Sequence, residues 1–267
     1  MYTEAKYTEA EKFLDKIAED GEEKLVKSKQ RVKDAGEVFT PRWVVRDMLD
    51  LDEIKDMSFE LDTTFLEPAC GNGNFIIQIL VRKLMSVSAE AFDIDVARSV
   101  ASIYGVDIAE DNVKETRARM MNAIKHFYAD NKMKLSREVE CSIWYILYRN
   151  IILGNTLEYK KYAENYSDAE IVASKAYDTE DAVSDAKKSI EGISIVDTRV
   201  TCTDTKDNDL LVSEWKFIGD RVHRTEYMIK GMVDERLSST NRDYEAVKLD
   251  RLYKVPDKGQ NDINDYI

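Results

Sequence analysis

Closely spaced cysteines are missing from this sequence of 267 residues. Its three cysteines, Cys70, Cys141 and Cys202, lie far apart and form no CxxC pair. Disulfide frameworks and zinc sites need cysteines that meet at suitable spacings, so we expect neither, and no other metal site is indicated. The same scarcity fits a protein of the reducing cytoplasm best.

Long apolar runs and an excess of basic residues are missing as well. No run is long enough to span a bilayer, and the first residues, MYTEAKYTEAEKFLDK, lack the apolar core of a secretory signal, so no membrane partner is expected. The formal net charge of −13 argues against a simple DNA-binding module, because phosphate contacts need Lys and Arg. It suits a protein that docks onto a basic partner, or one whose DNA contacts come from another subunit.

Composition divides the chain into four regions. Residues 1–35 are polar and helix-forming, and we interpret their broken apolar stripe as a solvated helical arm rather than a docking element. Residues 36–158 hold the alternating strands and helices of a core. Residues 159–209 form an acidic insertion that is weakly structured or helical. Residues 210–267 hold a further strand at 210–218, with Trp215 packed, and a polar C-terminal segment.

Strand and helix patterns alternate within the core region. Each buried strand is followed by a turn and then by a helical apolar stripe, an order that predicts an α/β fold with a mostly parallel sheet flanked by helices. The interval 85–102 must hold an extra turn or helix. The predicted strands cover 64–66, 103–108 and 151–155, and the predicted helices cover 75–84 and 111–128.

The segment GEVFTPRWVVRDMLDL, residues 36–51, predicts a helix that opens at its proline. Pro41 suits the first turn of a helix, and Thr40 before it is a typical N-cap residue. By helical spacing, the face expected to be buried consists of Trp43, Val44, Met48 and Leu51.

The loop PACGNGN is the most informative stretch of the chain. Gly71 and Gly73 permit positive φ angles and let a ligand approach the backbone, and the helix that follows presents free N–H groups. Dinucleotide enzymes hold a pyrophosphate on such a loop, but their GxGxxG fingerprint needs a glycine where Ile76 stands. Glu67 is a poor neighbour for phosphate and suits a cationic group, such as the amino acid end of S-adenosylmethionine.

Polar side chains end the next two predicted strands. Asp107 ends the second strand, where an acid accepts hydrogen bonds from ribose hydroxyls in nucleotide sites. Ile108 beside it can pack on an adenine ring, and Asn155 with Thr156 can bond the adenine edge. All lie at the carboxyl edge of the sheet, where open α/β folds bind ligands. Cys70, by contrast, is expected to be a small packed residue and not a nucleophile.

Four boxes, GEVFTP, FLEPACGNGNF, YGVDIAEDNV and ILGNTL, follow in this order between residues 36 and about 158. Together they resemble the gamma-type N6-adenine DNA methyltransferases, including the modification subunits of restriction systems. The resemblance implies the Rossmann-like fold of S-adenosylmethionine-dependent methyltransferases and methyl transfer to N6 of adenine in DNA. It implies S-adenosylmethionine as cofactor, DNA as a partner through this chain or another subunit, and a methyltransferase or specificity protein as a second partner.

The resemblance also implies a role for each residue that matches a box. Phe39 and Thr40 would lie over the methionine moiety of the cofactor, and Asp107 would bind its ribose. The residues implied around the amino acid part are Glu67, Ala69, Gly71 and Gly73, with Pro68 of the same box counted among the cofactor-binding residues, and Ile108 and Asn155 would bracket the adenine.

Adjacent prolines, which the family requires, are missing. Its enzymes carry Asn or Asp, then Pro-Pro and an aromatic residue, after the fourth strand; these accept the target amine and stack on the flipped base. The only prolines here are Pro41, Pro68 and Pro256, although VSEWKF at 212–217 resembles the strand that precedes the motif. The catalytic residues are therefore unknown. Either the catalytic half lies on another polypeptide, or the chain is an inactive cofactor-binding subunit, sensor or decoy.

Overall fold

A computed structural model describes residues 2–18, 25–162, 164, 210–228 and 242–254. Helices and strands alternate through the middle of the chain, and strands dominate after residue 210. The helices are α1 (Glu4–Ile17), α2 (Lys29–Ala35), α3 (Arg42–Leu49), α4 (Asp52–Met57), α5 (Asn74–Leu84), α6 (Phe92–Ala101), α7 (Glu110–Asp130) and α8 (Arg137–Asn150), with a final 3-10 helix at Leu249–Lys254. The strands are β1 (Phe65–Glu67), β2 (Ile103–Asp107), β3 (Ile151–Asn155), β4 (Lys160–Lys161), β5 (Leu211–Ile218), β6 (Arg221–Met228), β7 (Arg242–Asp243) and β8 (Val247–Lys248).

The first three strands form a parallel sheet. β1 pairs with β2 and β2 with β3, which places Leu66 opposite Tyr104 and Val106 opposite Ile152. β4 runs antiparallel to β3, so the strand order is β1-β2-β3-β4. The three strands predicted for this region are confirmed to within one residue at each end. Because parallel strands share one carboxyl edge, the segments after β1, β2 and β3 come together there.

Helices α5 and α7 follow β1 and β2, contact each other and contact β2. The apolar stripe predicted for α5 is confirmed, since Ile76, Ile79, Leu80 and Leu84 are buried. Helix α6 fills the interval that the sequence required to hold an extra turn or helix. The predicted fold class, a mixed α/β fold with a mostly parallel sheet and flanking helices, is confirmed.

Helix α1 packs on the core and does not behave as the solvated arm expected from the sequence. Phe13 and Leu14 are buried, and the helix contacts α5. The Phe13 ring meets the Phe127 ring of α7 edge to face, with 6.2 Å between centroids. The expectation of a solvated arm is wrong for this helix, because its short stripe is covered by α5 and α7.

Helix α3 begins one residue later than predicted. Pro41 is its N-cap, and no side chain caps its N-terminus. The prediction of Thr40 as N-cap is therefore wrong. The Thr40 carbonyl instead accepts a hydrogen bond from the Asn74 side chain, 2.8 Å away, which ties this segment to the start of α5.

The buried face of α3 also differs from the prediction. Val45 and Leu49 are buried, and α3 contacts α5. Trp43, Met48 and Leu51, which were expected to be buried, are 61%, 49% and 59% exposed. Both sets recur at helical spacing, and periodicity alone does not show on which side the neighbouring helix lies.

A second sheet follows the parallel one. β5 and β6 form an antiparallel hairpin, and β7 and β8 both pair with β6. The strand predicted at 210–218 is confirmed as β5, but it lies in this second sheet. Its pairing partner in that sheet is β6.

Polar contacts join the two sheets through buried groups. The Trp215 indole N–H donates to Asn150 Oδ1 at 2.9 Å, and the Tyr104 hydroxyl donates to the Ser213 carbonyl at 2.6 Å. Trp215 also meets the ring of Tyr145 edge to face. The prediction that Trp215 is a packed strand residue is confirmed.

Several predictions fall on residues that the structure does not describe. Most of the acidic insertion, 159–209, and Cys202 within it lie outside the described residues. The division of the chain at residues 35, 158 and 209 stays a prediction. In the part of the chain that is described, no helix has the length and apolar character needed to cross a membrane.

Candidate ligand-binding site at the carboxyl edge of the parallel sheet

The loop between β1 and α5 takes a backbone path that depends on its glycines. Gly71 has φ +52° and Gly73 has φ +86°, both in the left-handed region that side chains with a Cβ rarely adopt. Gly73 is the N-cap of α5, so the first-turn N–H groups, which have no acceptor within their own helix, begin directly after the loop. The two glycines singled out from the sequence therefore shape this turn.

Phe39 and Thr40 are brought to this loop from the preceding segment. Phe39 is 6% exposed, and a Cβ built on Gly71 would lie 3.1 Å from its ring. The Phe39 N–H donates to the Leu25 carbonyl, and the Thr40 carbonyl accepts from Asn74. The proximity expected from the order of the boxes is present, while contact of Phe39 and Thr40 with a ligand stays a prediction.

Helix α7 supports the loop through two side chains that sequence reasoning missed. The Thr116 hydroxyl donates to the Gly71 carbonyl at 3.0 Å. Arg119 Nη1 donates to the Asn72 carbonyl at 2.5 Å and to Asn74 Oδ1 at 3.0 Å. Thr116 and Arg119 are three residues apart and so share one helical face. That spacing is the only signal in the sequence that could have pointed to them.

Asp107 is positioned at the end of β2 by three donors. Its Oδ2 accepts the Gly71 N–H at 2.8 Å, and its Oδ1 accepts the Ala109 N–H at 2.9 Å and the Asn112 amide at 3.2 Å. A carboxylate offers about four acceptor positions, so these donors leave room for a ligand hydroxyl. Asp107 thus ties the glycine loop to the start of α7, which the sequence alone did not reveal.

A polar network continues from Asp107 toward the segment before Phe39. The Asn112 amide also donates to Glu37 Oε2 at 3.3 Å. Arg31 Nε donates to the same Glu37 oxygen at 2.9 Å, and Arg31 Nη1 donates to Asp111 at 2.6 Å. The network fastens α2 and the residues after it to α7, beside the glycine loop.

Charge at the end of this network is balanced by two cations. Burial raises the pKa of Asp111, but hydrogen bonds from Lys27 and Arg31 outweigh it and hold that pKa below its usual value. Lys27 also lies 5.9 Å from the centroid of the Phe39 ring. Asp111 therefore stays ionised and binds Lys27 and Arg31. These contacts hold residues 25–40, which we call the covering segment, beside the glycine loop.

Two buried acceptors in the network have no donor within the described residues. They are Glu37 Oε1 and Asn112 Oδ1. Asn112 is 1% exposed and lies directly against Asp107. Buried polar atoms normally find a partner, and an unsatisfied one costs about 1–3 kcal/mol. Unmatched acceptors here fit a site whose ligand supplies hydrogen-bond donors.

Glu67, Pro68 and Ala69 connect β1 to the glycine loop. Burial raises the pKa of Glu67, and a hydrogen bond from the Ala69 N–H, 3.4 Å away, offsets this only in part. Pro68 and Ala69 are exposed, and the Pro68 carbonyl accepts from the Thr156 hydroxyl at 2.8 Å. A partly desolvated carboxyl at this point favours a positively charged neighbour.

Ile108 and Asn155 end the second and third strands at the same edge. Ile108 is 59% exposed, which leaves an apolar surface for a flat ring to cover. Asn155 Oδ1 accepts the N–H groups of Leu157 and Glu158, a local turn that holds the chain after β3. The oxygen of Asn155 is therefore used by the turn, and the hydroxyl of Thr156 is used by the loop.

Cys70 lies inside the loop but is not placed for nucleophilic chemistry. It is 6% exposed, and burial, reinforced by the charge of Asp107, raises the pKa of its thiol far above the usual value. The prediction of a packed cysteine is confirmed. Across the described ranges, no group of three or more His, Cys, Asp and Glu side chains is arranged to hold a metal ion.

Acceptors dominate the chemistry of this edge. Glu67 ends β1 and Asp107 ends β2. The oxygens of Glu37 and Asn112 that have no donor among the described residues belong to the network that begins at Asp107. Such a set disfavours a pyrophosphate and fits a ligand with an ammonium group, sugar hydroxyls and an apolar ring. The amino acid and nucleoside ends of S-adenosylmethionine have these properties.

Comparison with known proteins adds a family assignment to this geometry. The family model described as "N-6 DNA Methylase" matches residues 23–191, which is more than half of the chain. The match includes the covering segment, the glycine loop and the ends of β2 and β3. No curated protein and no solved structure matches the chain.

Proposed function

The chain belongs to the N-6 DNA methylase family, and on that premise we propose that it is the S-adenosylmethionine-binding part of an adenine-specific DNA methyltransferase. The family assignment confirms the resemblance seen in the four sequence boxes. Members of the family use S-adenosylmethionine, which supplies an electrophilic methyl group. The observation that carries the proposal is the junction of the glycine loop with Asp107, closed on one side by Phe39.

In this proposal the amino acid end of the cofactor lies against the loop. Glu67 faces its ammonium group, and a positive charge there compensates for the burial that raises the pKa of this carboxyl. The loop backbone comes close because Gly71 and Gly73 lack side chains. Phe39 and Thr40 cover the methionine moiety. The remaining residues of the loop that we assign to this end are Pro68 and Ala69.

The nucleoside end lies toward β2 and β3. Asp107 accepts a ribose hydroxyl in the acceptor position that its three protein donors leave open. Ile108, which is exposed at this edge, packs on the adenine. Asn155 borders the adenine through the turn that it stabilises.

The residues that receive the target adenine are not part of this assignment. The described loops after β1, β2 and β3 provide no Pro-Pro pair with an aromatic residue, and the 267 residues contain no two adjacent prolines. Transfer to DNA therefore needs adenine-binding residues that these 267 residues do not include, and we propose that another polypeptide supplies them. A restriction-modification system, in which modification, specificity and DNA contacts are shared among subunits, is the context we propose.

Calorimetric titration with S-adenosylmethionine tests the cofactor site. We expect the wild-type chain to bind and Asp107→Asn to bind at least about tenfold more weakly, because hydrogen bonds to a charged group contribute about 1.5–3 kcal/mol. Asp250→Asn is the matched control, since Asp250 is exposed in the final 3-10 helix, and it should bind like the wild type. Thermal unfolding without cofactor checks that both variants are folded.

Absence of binding by the wild-type chain would refute the proposed site. Equal affinity of Asp107→Asn and wild type would refute the assignment of the ribose to Asp107. If a folded Asp250→Asn lost affinity, the net charge of the chain, and not the Asp107 carboxylate, would govern binding.

A second candidate function is an inactive cofactor-binding subunit, sensor or decoy. The scarcity of proline favours it, since only Pro41, Pro68 and Pro256 occur. Transfer of labelled methyl groups to DNA adenine separates the two functions. The proposed function expects transfer when a polypeptide with the missing motif is added and none by this chain alone. Cofactor binding without transfer in any such mixture would favour the second candidate.

A further inference from the structure

Among the residues that the structure describes, one edge of the parallel sheet is unpaired. β1 pairs with β2 on one side, and no strand among the described residues pairs with its other side. Parallel sheets are usually covered by helices on both faces. An unpaired edge strand offers backbone N–H and carbonyl groups with which another strand can pair. β1 also carries the glycine loop, so a strand added here would end beside the proposed cofactor site.

The unpaired edge of β1 presents backbone groups with which an extended segment can pair. The Phe65 N–H donates to the Ser102 carbonyl at 2.9 Å, toward β2. Successive residues of a strand alternate their backbone groups between the two neighbours, so the N–H and carbonyl of Leu66 face the open edge. The side chain of Leu66 is 54% exposed, opposite Tyr104 in the register.

Helix α3 extends the surface beyond this edge. Helix α5 contacts α7, which packs on β2 and β3, and it also contacts α3, so we infer that α3 lies on the β1 side of α5. Its outward side carries Trp43 and Met48, and Leu51 is the N-cap of α4; the three are 61%, 49% and 59% exposed. These residues, which the sequence predicted to be buried, are exposed in the structure.

The rim of this surface is acidic. Asp47, Asp52, Glu53 and Asp56 are exposed on α3 and α4 and outnumber the exposed Arg46, which pairs with Asp47, and the chain has a net charge of −13. An apolar centre with a charged rim is the usual anatomy of a protein interface. The rim favours a basic partner and disfavours a second copy of this chain, which would bring like charges together.

We propose that the open edge of β1 and the outward face of α3 form a docking surface for a basic polypeptide that adds a parallel strand to β1. The strand of that partner ends at the carboxyl edge, where its following residues meet the site that holds the cofactor. The partner thereby supplies adenine-binding residues, for which these 267 residues hold no Pro-Pro motif, and DNA contacts, which their net charge of −13 disfavours. This inference rests on the proposed function, since it names the partner of that same site.

Two substitutions test the surface without touching the cofactor site. Leu66→Pro removes the N–H that faces the open edge, a change tolerated on an edge strand, while Leu66→Ala keeps it. Trp43→Glu places a charge at the apolar centre, and Ile218→Glu is its control, because Ile218 is 68% exposed on β5 in the second sheet. All four full-length variants are first checked by circular dichroism and by titration with S-adenosylmethionine.

The probe is the purified polypeptide of the same organism that carries the Asn/Asp-Pro-Pro-aromatic motif behind a strand. Sedimentation should show a one-to-one complex with the wild-type chain. We expect Leu66→Pro and Trp43→Glu to weaken it at least about tenfold, Leu66→Ala to weaken it less than Leu66→Pro, and Ile218→Glu to leave it unchanged.

Three outcomes would overturn the inference. They are no complex with the wild-type chain, a complex that survives both Leu66→Pro and Trp43→Glu, and self-association of the wild-type chain that Trp43→Glu abolishes. The last outcome would assign the surface to a second copy. Failure of the proposed function is seen separately, as loss of S-adenosylmethionine binding by the wild-type chain whatever the partner does.

Discussion

Gly73 combines two constraints that any side chain would violate. Its φ is +86°, and a Cβ there would lie 2.8 Å from the Thr116 side chain on α7. We expect Gly73→Ala to lower the free energy of unfolding by about 1–3 kcal/mol through backbone strain, with a further loss from the clash. Cofactor affinity should fall as well, because the loop must shift away from Thr116. Urea unfolding and calorimetric titration measure the two effects.

Gly219→Ala separates strain from contact. Gly219, in the turn between β5 and β6, has φ +60° and nothing within 4 Å of a built Cβ. Gly219→Ala should lower the free energy of unfolding only through backbone strain, and it should leave cofactor affinity unchanged. If Gly219→Ala lowered the free energy of unfolding as much as Gly73→Ala does, the contact with Thr116 would contribute nothing to the loss.

Site residues whose role follows from a local sequence pattern could be recognised from the sequence. Site residues whose role depends on tertiary packing could not. Gly71, Gly73 and Asp107 stand at fixed points of a strand–loop–helix pattern, so position alone marked them. Thr116 and Glu37 act on the loop and on Asn112 from distant parts of the chain. Their contacts exist only after α2 and α7 have packed, and no local pattern announces them.

Lys83 ties α5 to the chain that enters β1. Its ammonium donates to the carbonyls of Glu60, Leu61 and Thr63, and it is fully buried. Burial lowers its pKa to about 7, although the charges of Asp62 and Glu60 oppose the shift. The unfolded chain keeps an ordinary lysine pKa near 10.4. Between these two values the unfolded chain therefore holds more protons on Lys83 than the folded chain does.

Stability should consequently rise with pH across that interval. Relative to Lys83→Met, the wild-type free energy of unfolding should increase by up to about 1.4 kcal/mol per pH unit above pH about 7. Below that pH both states are protonated, and the difference should level off. Urea unfolding of both proteins at several pH values between about 6 and 9 measures the slope.

Two further variants serve as controls for this measurement. Lys83→Arg stays charged throughout and serves as the reference if Lys83→Met does not fold. Lys134→Met changes an exposed lysine, and its difference from the wild type should stay flat with pH. A flat difference for both Lys83 variants would show that Lys83 does not titrate in this interval.

The extents of helices and strands followed largely from periodicity, while the directions they face did not. The strands β1, β2, β3 and β5 lie where alternation and apolar runs place them. Helix α3 was located correctly but with the wrong face inward, since Val45 and Leu49 meet α5. Helical spacing fixes which residues share a face, and only the neighbouring elements decide which face is covered.

The second sheet was out of reach of sequence reasoning for a related reason. Its strands β7 and β8 are two residues each and leave no periodic signal. β5 and β6 form a hairpin across Gly219 and Asp220, and buried polar groups such as Asn150 dock that hairpin onto the rest of the fold. Such groups join elements that are far apart in the chain.

Asn150 makes the two sheets one cooperative unit. Its amide donates to the Ala101 carbonyl at 2.9 Å and the Ile103 carbonyl at 3.1 Å, beside β2, and its oxygen accepts the Trp215 indole N–H of β5. Asn150 is 1% exposed, so water cannot replace these bonds. Asn150→Ala leaves buried groups on both sheets without partners and should cost about 2–4 kcal/mol.

Because the shared bonds link the sheets, both should unfold in a single transition. Trp215 fluorescence, isolated by replacing Trp43 and Trp144 with Phe, reports the second sheet, and far-UV circular dichroism reports mainly the helices around the first. The two probes should give one urea midpoint in the wild type and one common, lower midpoint in Asn150→Ala. Lys134→Ala, at an exposed position between α7 and α8, should shift neither probe by more than about 0.5 kcal/mol. Two separated midpoints in the wild type would mean that the second sheet folds on its own, and Asn150 would then hold a docked unit rather than a shared core.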